Sequence, residues 1–598
     1  MLRAVHRIRK YAAGAAHRWP GGVAASNFDH RHLAGNHFSR SSTRMRRTAP
    51  MALLAALVLF LATGVAAAQG QKRQFTHADT LRGSNGPGRA WWDATFYDLH
   101  VAVSPSDSSI RGRNGITYRV LAPATEMQID LQVPMEVDSM VQDGRQVRYR
   151  RDGNAFFARL DAAQKRGETK TITIYYHGKP RAAQRAPWDG GYVWARDSLG
   201  NRWIATANEG LGASIWWPMK DLNADEPDSQ RVAITVPDPM IDVSNGRLRN
   251  KTKNADGTTT YEWFVVNPIN GYNVAVNAGS YAHFSDTYEG EKGTLTLDFW
   301  PLEYHLAAAR AQFSQVKPML ACFEHWFGPY PWYEDGYKLV ETPHLGMEHQ
   351  SAVAYGNHYR NGYLGRDLSG TGLGLQWDFI IIHESAHEWW GNNITDRDAA
   401  DMWIHESFAN YAEGIYEECR AGKKSGAAYI IGSRRNIQND APIVGTFGVN
   451  NEGSGDMYYK GGNMLHTIRQ VIDDDEKWRG ILRGLNETFY HQTVSGQQVR
   501  DYISQRAGID LSKVFQQYLM TTRIPVLEYR VAGDSLSYRW TDVVPGFAMP
   551  VKVWFSESDS TMLEPTQAWK SVPLPSGAGR SVRVDENYYV IGKDVTAG

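Results

Sequence analysis

Residues 379–392 read Phe-Ile-Ile-Ile-His-Glu-Ser-Ala-His-Glu-Trp-Trp-Gly-Asn. His383 and His387 are four residues apart, so on a helix they lie one turn above each other and can point ring nitrogens at one ion. Glu384 lies beside them, where its carboxylate can take a proton from water held by that ion. Eighteen residues separate His387 from Glu406, which begins a second helical pattern. Two histidines, a distant carboxylate and an open fourth position are typical of catalytic zinc.

The surroundings of this motif matter because His-Glu-x-x-His also arises by chance. Apolar residues flank it nearly all round, which indicates a buried helix. Buried imidazoles and carboxylates each cost about several kcal/mol unless they are paired or bind a metal. We therefore predict one Zn²⁺ per chain, held by His383, His387 and Glu406. Glu384 is the predicted general base.

The composition is that of a globular protein with about three domains, since the chain has 598 residues, 42% hydrophobic and 21% charged. The formal net charge of zero hides an asymmetry. Residues 1–68 carry ten Lys and Arg side chains and one acidic side chain, which leaves 54 basic and 63 acidic side chains in the remainder. A chain that is about nine units negative argues against nucleic acid as a partner.

The N-terminal region predicts export from the cytoplasm. A basic segment at Met45-Arg-Arg precedes an apolar run from Met51 to Val65, and Ala66-Ala67-Ala68 follows. We predict translation from Met45 and a leader at 1–68 whose signal peptide is cleaved after Ala68, giving a secreted or periplasmic protein. A retained membrane anchor is the less favoured alternative, because the apolar run is short for a spanning helix. No second stretch predicts a membrane span in the mature chain.

Cys322 and Cys419 are the only cysteines. Two thiols in a chain of this size are not a disulfide framework, so buried free thiols are the default interpretation. A single Cys322–Cys419 disulfide is the alternative.

Pattern changes along the chain predict a multidomain α+β protein. Short alternating runs rich in β-branched residues predict an N-terminal antiparallel β domain at 75–301. Helical periodicity follows and predicts a mostly α catalytic domain at 302–524. Alternation returns at 525–598, which predicts a small C-terminal β-sandwich-like domain.

Four separate segments, in order, resemble motifs of the gluzincin aminopeptidases, typified by aminopeptidase N and leukotriene hydrolase. The segments are Phe323-Glu-His-Trp-Phe-Gly-Pro-Tyr-Pro-Trp332, Leu345-Gly-Met-Glu-His349, the zinc motif, and Tyr458-Tyr-Lys-Gly461. The resemblance implies a β domain, a thermolysin-like catalytic domain and a β module, which is the order that the periodicity predicts.

The resemblance also implies which residues bind the substrate's α-ammonium group. Glu348, with Gly346 and Met347, falls in the family's Gly-x-Met-Glu-Asn motif, and buried carboxylates suit an ammonium ion. Glu209 is the second candidate, because the interval from Thr206 to Pro218 matches that of the family's second amine-binding residue. A solvated loop carboxylate is the alternative for Glu209.

Two positions depart from the Gly-x-Met-Glu-Asn motif. Leu345 replaces its Gly and His349 replaces its Asn, which puts the shape of the first substrate pocket in question. Tyr458 takes the place of the family's catalytic tyrosine, which donates to the developing oxyanion. The adjacent Tyr459 is the rival, but the register to Lys460 and Gly461 selects Tyr458.

The resemblance implies a zinc aminopeptidase that hydrolyses the N-terminal peptide bond of peptides with a free N-terminus. A thermolysin-type zinc endopeptidase is the nearest alternative. Glu348 and Glu209, the predicted amine-binding residues, favour the aminopeptidase over it. Epoxide hydrolysis, as in leukotriene hydrolase, is a further alternative as a side activity.

Overall fold

The computed structural model describes residues 74–574 and 581–596, so the predicted leader at 1–68 lies outside the described residues. The first element of the described chain is a short helix, α1 (His77–Gly83). The sequence instead predicts β structure from Phe75 onward. None of the residues of α1 is buried. The helix therefore has no apolar periodicity by which the sequence could reveal it.

The N-terminal region is built of β-strands. In chain order, the strands between Trp92 and Gly279 are β1 (Trp92–Ser104), β2 (Ser109–Val120), β3 (Glu126–Asp130), β4 (Glu136–Gln142), β5 (Arg145–Gln146), β6 (Arg148–Asp152), β7 (Ala155–Arg159), β8 (Thr169–Gly178), β9 (Gly191–Arg196), β10 (Arg202–Ala207), β11 (Ser229–Pro237), β12 (Ile241–Val243), β13 (Arg247–Lys253), β14 (Thr258–Val265) and β15 (Asn277–Gly279). They form sheets ordered β13-β14-β11-β1-β2-β8-β4-β5, β12-β15-β10-β9 and β3-β7-β6. One pair departs from the predicted antiparallel arrangement, because β1 and β11 run parallel.

A five-stranded sheet begins the catalytic region. Its strands are β16 (Phe284–Gly290), β17 (Gly293–Trp300), β18 (Tyr337–Glu341), β19 (Gly346–Met347) and β20 (Val353–Tyr355), in the order β16-β17-β18-β20-β19. Because β17 pairs with β18, the sheet crosses the predicted boundary at residue 301. The short strand β19 lies at the edge of the sheet.

Helices make up most of the remaining catalytic region. They are α2 (Leu306–Gln312), α3 (Val316–Phe327), α4 (Phe379–Ala386), α5 (Trp403–Ala421), α6 (Lys423–Ser433), α7 (Tyr459–Ile472), α8 (Asp475–Thr488), α9 (Gly496–Ala507) and α10 (Ser512–Met520). Two short strands, β21 (Ile394–Asp396) and β22 (Gln492–Val494), pair in parallel. Residues 459–488 form two helices and not one, because Asp473 takes a left-handed conformation after α7 and Asp474 caps α8.

The C-terminal strands form two further sheets. They are β23 (Val526–Ala532), β24 (Ser535–Thr541), β25 (Val551–Trp554), β26 (Ser560–Leu563), β27 (Lys570–Pro573), β28 (Arg583–Val584) and β29 (Ile591–Asp594), ordered β27-β24-β23-β29 and β26-β25-β28. The predicted fold class, a β region, a helical catalytic region and a small β region, is confirmed. The predicted residue boundaries of the domains stay predictions.

Cys322 on α3 and Cys419 on α5 form a disulfide, with their Cα atoms 6.0 Å apart. The default interpretation of two free thiols is therefore wrong. It failed because 97 residues separate the two cysteines, and only helix packing brings them together. The bridge joins α3 to the helix that carries Glu406.

No helix in the described part of the chain is long and apolar enough to cross a membrane.

Candidate active site

Helix α4 places the two histidines of the motif. Asp378 caps its start by accepting from the amides of Ile380 and Ile381. The helix ends at Ala386, so His387 is the residue that follows it rather than part of a longer helix. Both imidazoles are nevertheless buried, and their Nε2 atoms lie close to each other.

The three predicted metal ligands face one another. The Nε2 atoms of His383 and His387 are 3.4 Å apart, and each is 3.6 Å from Oε2 of Glu406. Ligands about 2.0–2.2 Å from a tetrahedral ion are themselves about 3.4 Å apart, so the spacing fits Zn²⁺. Oε2 of Glu406 is buried and has no hydrogen-bond partner in the described structure, which leaves it free to bind a cation.

Neighbouring groups orient both imidazoles. Nδ1 of His383 donates to Oε1 of Glu413 at 2.8 Å, and Nδ1 of His387 donates to the Trp390 carbonyl at 2.9 Å. Each ring therefore presents the lone pair of Nε2 to the centre, as metal-binding histidines do. Glu413 is itself held by Asn410, at 3.1 Å.

Glu413 was missed in the sequence, although a signal for it existed. Glu406, Asn410 and Glu413 follow one another at intervals of four and three residues, so they share a face of α5. Tyr429 on α6 donates to the other oxygen of Glu413 at 2.7 Å. That contact joins two helices, so no local spacing could have revealed it.

Glu384 lies beside the metal-facing atoms. One of its oxygens is within 4.8 Å of the ligand atoms of His383 and His387. Its Oε2 has no partner in the described structure, and burial raises its pKa to about 8. Gly346 passes close to it, because a Cβ at this position would be 2.8 Å from Oε1 of Glu384. The glycine therefore allows strand β19 to run directly past the predicted base.

Tyr458 reaches the same centre from the start of α7. Its hydroxyl donates to Oε1 of Glu406 at 2.8 Å, whereas burial and Glu413 raise the pKa of the neighbouring Tyr459. Gly461, the last residue of the Tyr458-Tyr-Lys-Gly461 motif, explains this placement. A Cβ at Gly461 would be 1.9 Å from Oγ of Ser407 on α5, so glycine lets the two helices approach closely.

The two predicted amine-binding carboxylates lie together. Glu348 is fully buried and accepts from the Tyr272 hydroxyl at 3.3 Å, while its Oε2 has no partner in the described structure. Glu209 is half-buried, lies close enough to Glu348 for that carboxyl to raise the pKa of Glu209, and leaves Oε1 without a partner in the described structure. Burial and the nearby carboxylates raise the pKa of both groups, that of Glu348 to about 8. Two such carboxyls form a site suited to a cation.

Met347 faces the same space, since it lines a cavity together with Glu209. His349, which departs from the resembled motif, is fully buried, and neither of its ring nitrogens has a partner in the described structure. Burial and the nearby His344 lower the pKa of His349 to about 3, so the imidazole is neutral.

Comparison with known proteins agrees with this geometry. Residues 312–518 match the peptidase family M1 domain. The catalytic region is an M1 peptidase domain. The resemblance to the gluzincin aminopeptidases is thereby confirmed, and the matched range contains Glu348, the zinc motif, Glu406 and Tyr458.

Individual relatives match over longer stretches. The chain is 23% identical over 430 residues to the probable aminopeptidase 1 of Sulfurisphaera tokodaii, an alignment that covers 68% of this chain and 51% of that protein. It is 29% identical over 230 residues to aminopeptidase N of Lactococcus lactis, covering 34% of this chain and 26% of that protein. The chain thus spans about half of the first relative and a quarter of the second.

A crystal structure of an M1 zinc metallopeptidase from Deinococcus radiodurans has the same fold. The TM-score is 0.63 at 21% sequence identity, and the match covers 73% of this chain and 95% of that one. At this identity the likeness concerns the fold.

Proposed function

We propose that this M1 domain is a zinc aminopeptidase, which hydrolyses the first peptide bond of peptides with a free N-terminus. The observation that carries the proposal is the pair Glu209 and Glu348, two carboxylates with partnerless oxygens beside the three-ligand cluster. An endopeptidase has no use for two carboxylates with partnerless oxygens at this place, because an internal residue of a peptide chain has no ammonium group to pair with them.

His383, His387 and Glu406 would hold the zinc ion, and Glu413 and Trp390 would fix the two imidazoles. A zinc ion bound there lowers the pKa of water and polarises the substrate carbonyl. Glu384 takes a proton from the attacking water and delivers it to the leaving amine. Its raised pKa suits a group that must both accept and release a proton near neutral pH.

Tyr458 donates to the oxygen on which negative charge develops during attack. In the substrate-free structure its hydroxyl donates to Glu406 instead. As the reaction proceeds, the Tyr458 hydroxyl therefore changes its hydrogen-bond acceptor from the carboxylate of Glu406 to the substrate oxyanion. Such a hydrogen bond stabilises the transition state more than the bound substrate, so it raises kcat.

Strand β19 offers a backbone edge to the peptide. It pairs with β20 on one side only, through Gly346–Tyr355 and Met347–Ala354. A peptide can add to the free edge as a further strand. Its ammonium group then lies between Glu348, one residue beyond the strand, and Glu209, and its first peptide bond lies beside Glu384.

We also propose that the protein works outside the cytoplasm, after cleavage of the predicted signal peptide. The Cys322–Cys419 disulfide supports this, because such bonds persist in oxidising compartments. Mass spectrometry of the protein isolated from the host's extracytoplasmic fraction should find an N-terminus at Gln69. A mature chain that retains residues 51–65 would contradict the proposal and favour the membrane anchor.

The experiment that tests the activity uses matched pairs of peptides, free and N-acetylated, with metal content measured in parallel. We expect one zinc per chain, stepwise shortening of free peptides from the N-terminus, loss of activity with a chelator and its return with zinc. Acetylation should abolish cleavage, since it removes the ammonium charge and leaves both carboxylates unpaired. Internal cuts in acetylated peptides at rates like those of free ones would favour the endopeptidase.

A further inference from the structure

A buried turn at 388–392 follows His387 and lies between the metal-facing cluster and the strand that leads to Glu348. The Trp390 carbonyl in this turn accepts from Nδ1 of His387, so the turn orients a predicted metal ligand. The polar side chains at its two ends, Glu388 and Asn392, are both buried. Neither has a part in the proposed chemistry.

The side chain of Asn392 connects separate parts of the chain. Its Nδ2 donates to the carbonyl oxygen of Glu348 at 2.8 Å and to Oε2 of Glu388 at 3.3 Å. Its Oδ1 accepts from Nδ2 of Asn273 in the β region at 2.9 Å. Its backbone amide donates to the carbonyl of His387 at 3.0 Å. One buried residue therefore links a predicted metal ligand, an amine-binding residue and the β region.

The segment that follows Glu348 is held by the same residues. The amide of Ser351 donates to Oε1 of Glu388 at 2.8 Å, and the amide of Gln350 donates to Oδ1 of Asn273 at 3.1 Å. Ser351 has φ of +55°, a left-handed conformation that costs free energy for a residue with a side chain. Such a conformation persists where the surrounding contacts hold it in place.

These contacts set the position of Glu348 relative to the metal-facing cluster. Asn392 bonds to the main chain of Glu348, so it constrains the backbone without occupying either carboxylate oxygen. Oε2 of Glu348 stays without a partner in the described structure and is free for the substrate. The spacing matters for an aminopeptidase, because the first peptide bond must reach the metal while the ammonium group lies at Glu348.

We propose that Asn392 is a positioning residue for the aminopeptidase reaction. It holds the backbone of Glu348 at the distance from the metal-facing cluster that brings the first peptide bond of the substrate beside Glu384. This inference rests on the proposed aminopeptidase function, because it needs the α-ammonium group at Glu348. Asn392 acts through Glu348 and not by contact with the reacting atoms.

A double-mutant cycle distinguishes positioning from a general effect on folding. We expect Asn392→Ala to lower kcat/KM for leucine coumarin amide, expressed per bound zinc, by about tenfold, since a small displacement of the amine site misaligns the peptide bond. In a Glu348→Ala background the same change should cost less than about twofold, because the side chain through which Asn392 acts is already absent. A residue needed only for folding would give the same fold-loss in both backgrounds.

Two further variants complete the design. Asn392→Asp keeps the size of the side chain and the acceptor for Asn273, but an ionised aspartate donates no hydrogen bond, so it should follow the same pattern. Asn393→Ala is the matched control. Asn393 is also buried, but its Nδ2 donates to Oδ1 of Asn486 at 3.0 Å and its Oδ1 accepts from the His491 amide at 2.9 Å. Its loss should lower stability and leave kcat/KM per bound zinc near the wild-type value.

Either Asn392 variant decides the question once it is folded and zinc-bound in both backgrounds. Equal losses with and without the Glu348 side chain would overturn this inference alone, and so would an equal loss in Asn393→Ala. Failure of the zinc-loaded wild type to hydrolyse leucine coumarin amide and free peptides would overturn the proposed function and, with it, this inference.

Discussion

The metal-facing cluster and the amine pair share one site but are built differently. His383, His387 and Glu406 come from 24 consecutive positions, and a hydrogen bond from a neighbour orients each imidazole. Glu209 and Glu348 come from the β region and the catalytic region, and each keeps an oxygen without a partner in the described structure. In the first, local helix geometry brings the two histidines together, and the packing of α5 against α4 adds Glu406. The second exists only because two regions of the chain pack together.

Because of this difference, variants of the two groups should lose activity in two different ways. Changes at the metal-facing cluster should abolish the chemistry for every substrate. Changes at the amine pair should alter which substrates are accepted while the metal stays bound. The following variants test that distinction, from the largest expected effect on turnover to the smallest.

His387→Ala should have the largest effect. It removes one of three ligands, so the purified protein should contain little zinc, and activity should fall by about a thousandfold or more. Glu384→Gln is the matched control, because it keeps all three ligands and should keep the zinc while turnover falls by about a hundredfold or more. Metal analysis and kcat are measured on both. Full activity of His387→Ala in a verified metal-free preparation would defeat the proposed mechanism.

Tyr458→Phe should lower kcat by about a hundredfold with a smaller change in KM, since the hydroxyl acts mainly in the transition state. Tyr459→Phe is the control and should leave kcat nearly unchanged, because the hydroxyl that hydrogen-bonds to Glu406 is that of Tyr458. Steady-state kinetics with one peptide substrate distinguish the two. An effect of equal size in both variants would assign the role of Tyr458 to packing instead.

Glu348→Gln should lower kcat/KM for free peptides by roughly ten- to a hundredfold, the size expected for one lost charge-assisted hydrogen bond. Zinc content should be unchanged. The preference for free over acetylated peptides should narrow, because the variant gains less from the ammonium charge. The same ratio of free to acetylated cleavage in variant and wild type would show that Glu348 does not bind the amine.

Glu413→Gln tests a residue that orients a metal ligand, His383, by a hydrogen bond. An amide can still contact Nδ1 of His383 but no longer offers a charged acceptor, so we expect zinc affinity to fall about tenfold. Zinc-buffered titration measures the affinity, and saturating zinc should restore most of the turnover. Turnover that stays low at saturating zinc would indicate that Glu413 affects more than metal binding.

The double variant Cys322→Ser, Cys419→Ser should have the smallest effect on turnover. Loss of the cross-link should lower the free energy of unfolding by about 2–4 kcal/mol. Urea denaturation measures this loss, and kcat at 25 °C should stay near the wild-type value because neither sulfur reaches the metal centre. Unchanged stability would mean that the bridge does not form in the protein.

Sequence patterns predicted the long helices well and short elements poorly. α5 has apolar periodicity over many turns, which is the pattern by which the sequence predicts helices between residues 302 and 524. α1 has no buried residue, and β19 is only two residues long, so neither has a pattern of its own. The parallel pairing of β1 with β11 also has no local signal, because many residues separate the two strands.

The sequence by itself determined the residue types and spacing of the metal centre, since histidines four apart on a helix converge whatever surrounds them. It also determined, through the Tyr458-x-Lys-Gly and Leu345-to-His349 motifs, which family the catalytic region resembles. Only the tertiary structure decided that Glu209 lies against Glu348, that Tyr429 supports Glu413, and that Cys322 joins Cys419. These contacts connect segments far apart in the chain, so their geometry depends on how the regions pack and not on any local periodicity.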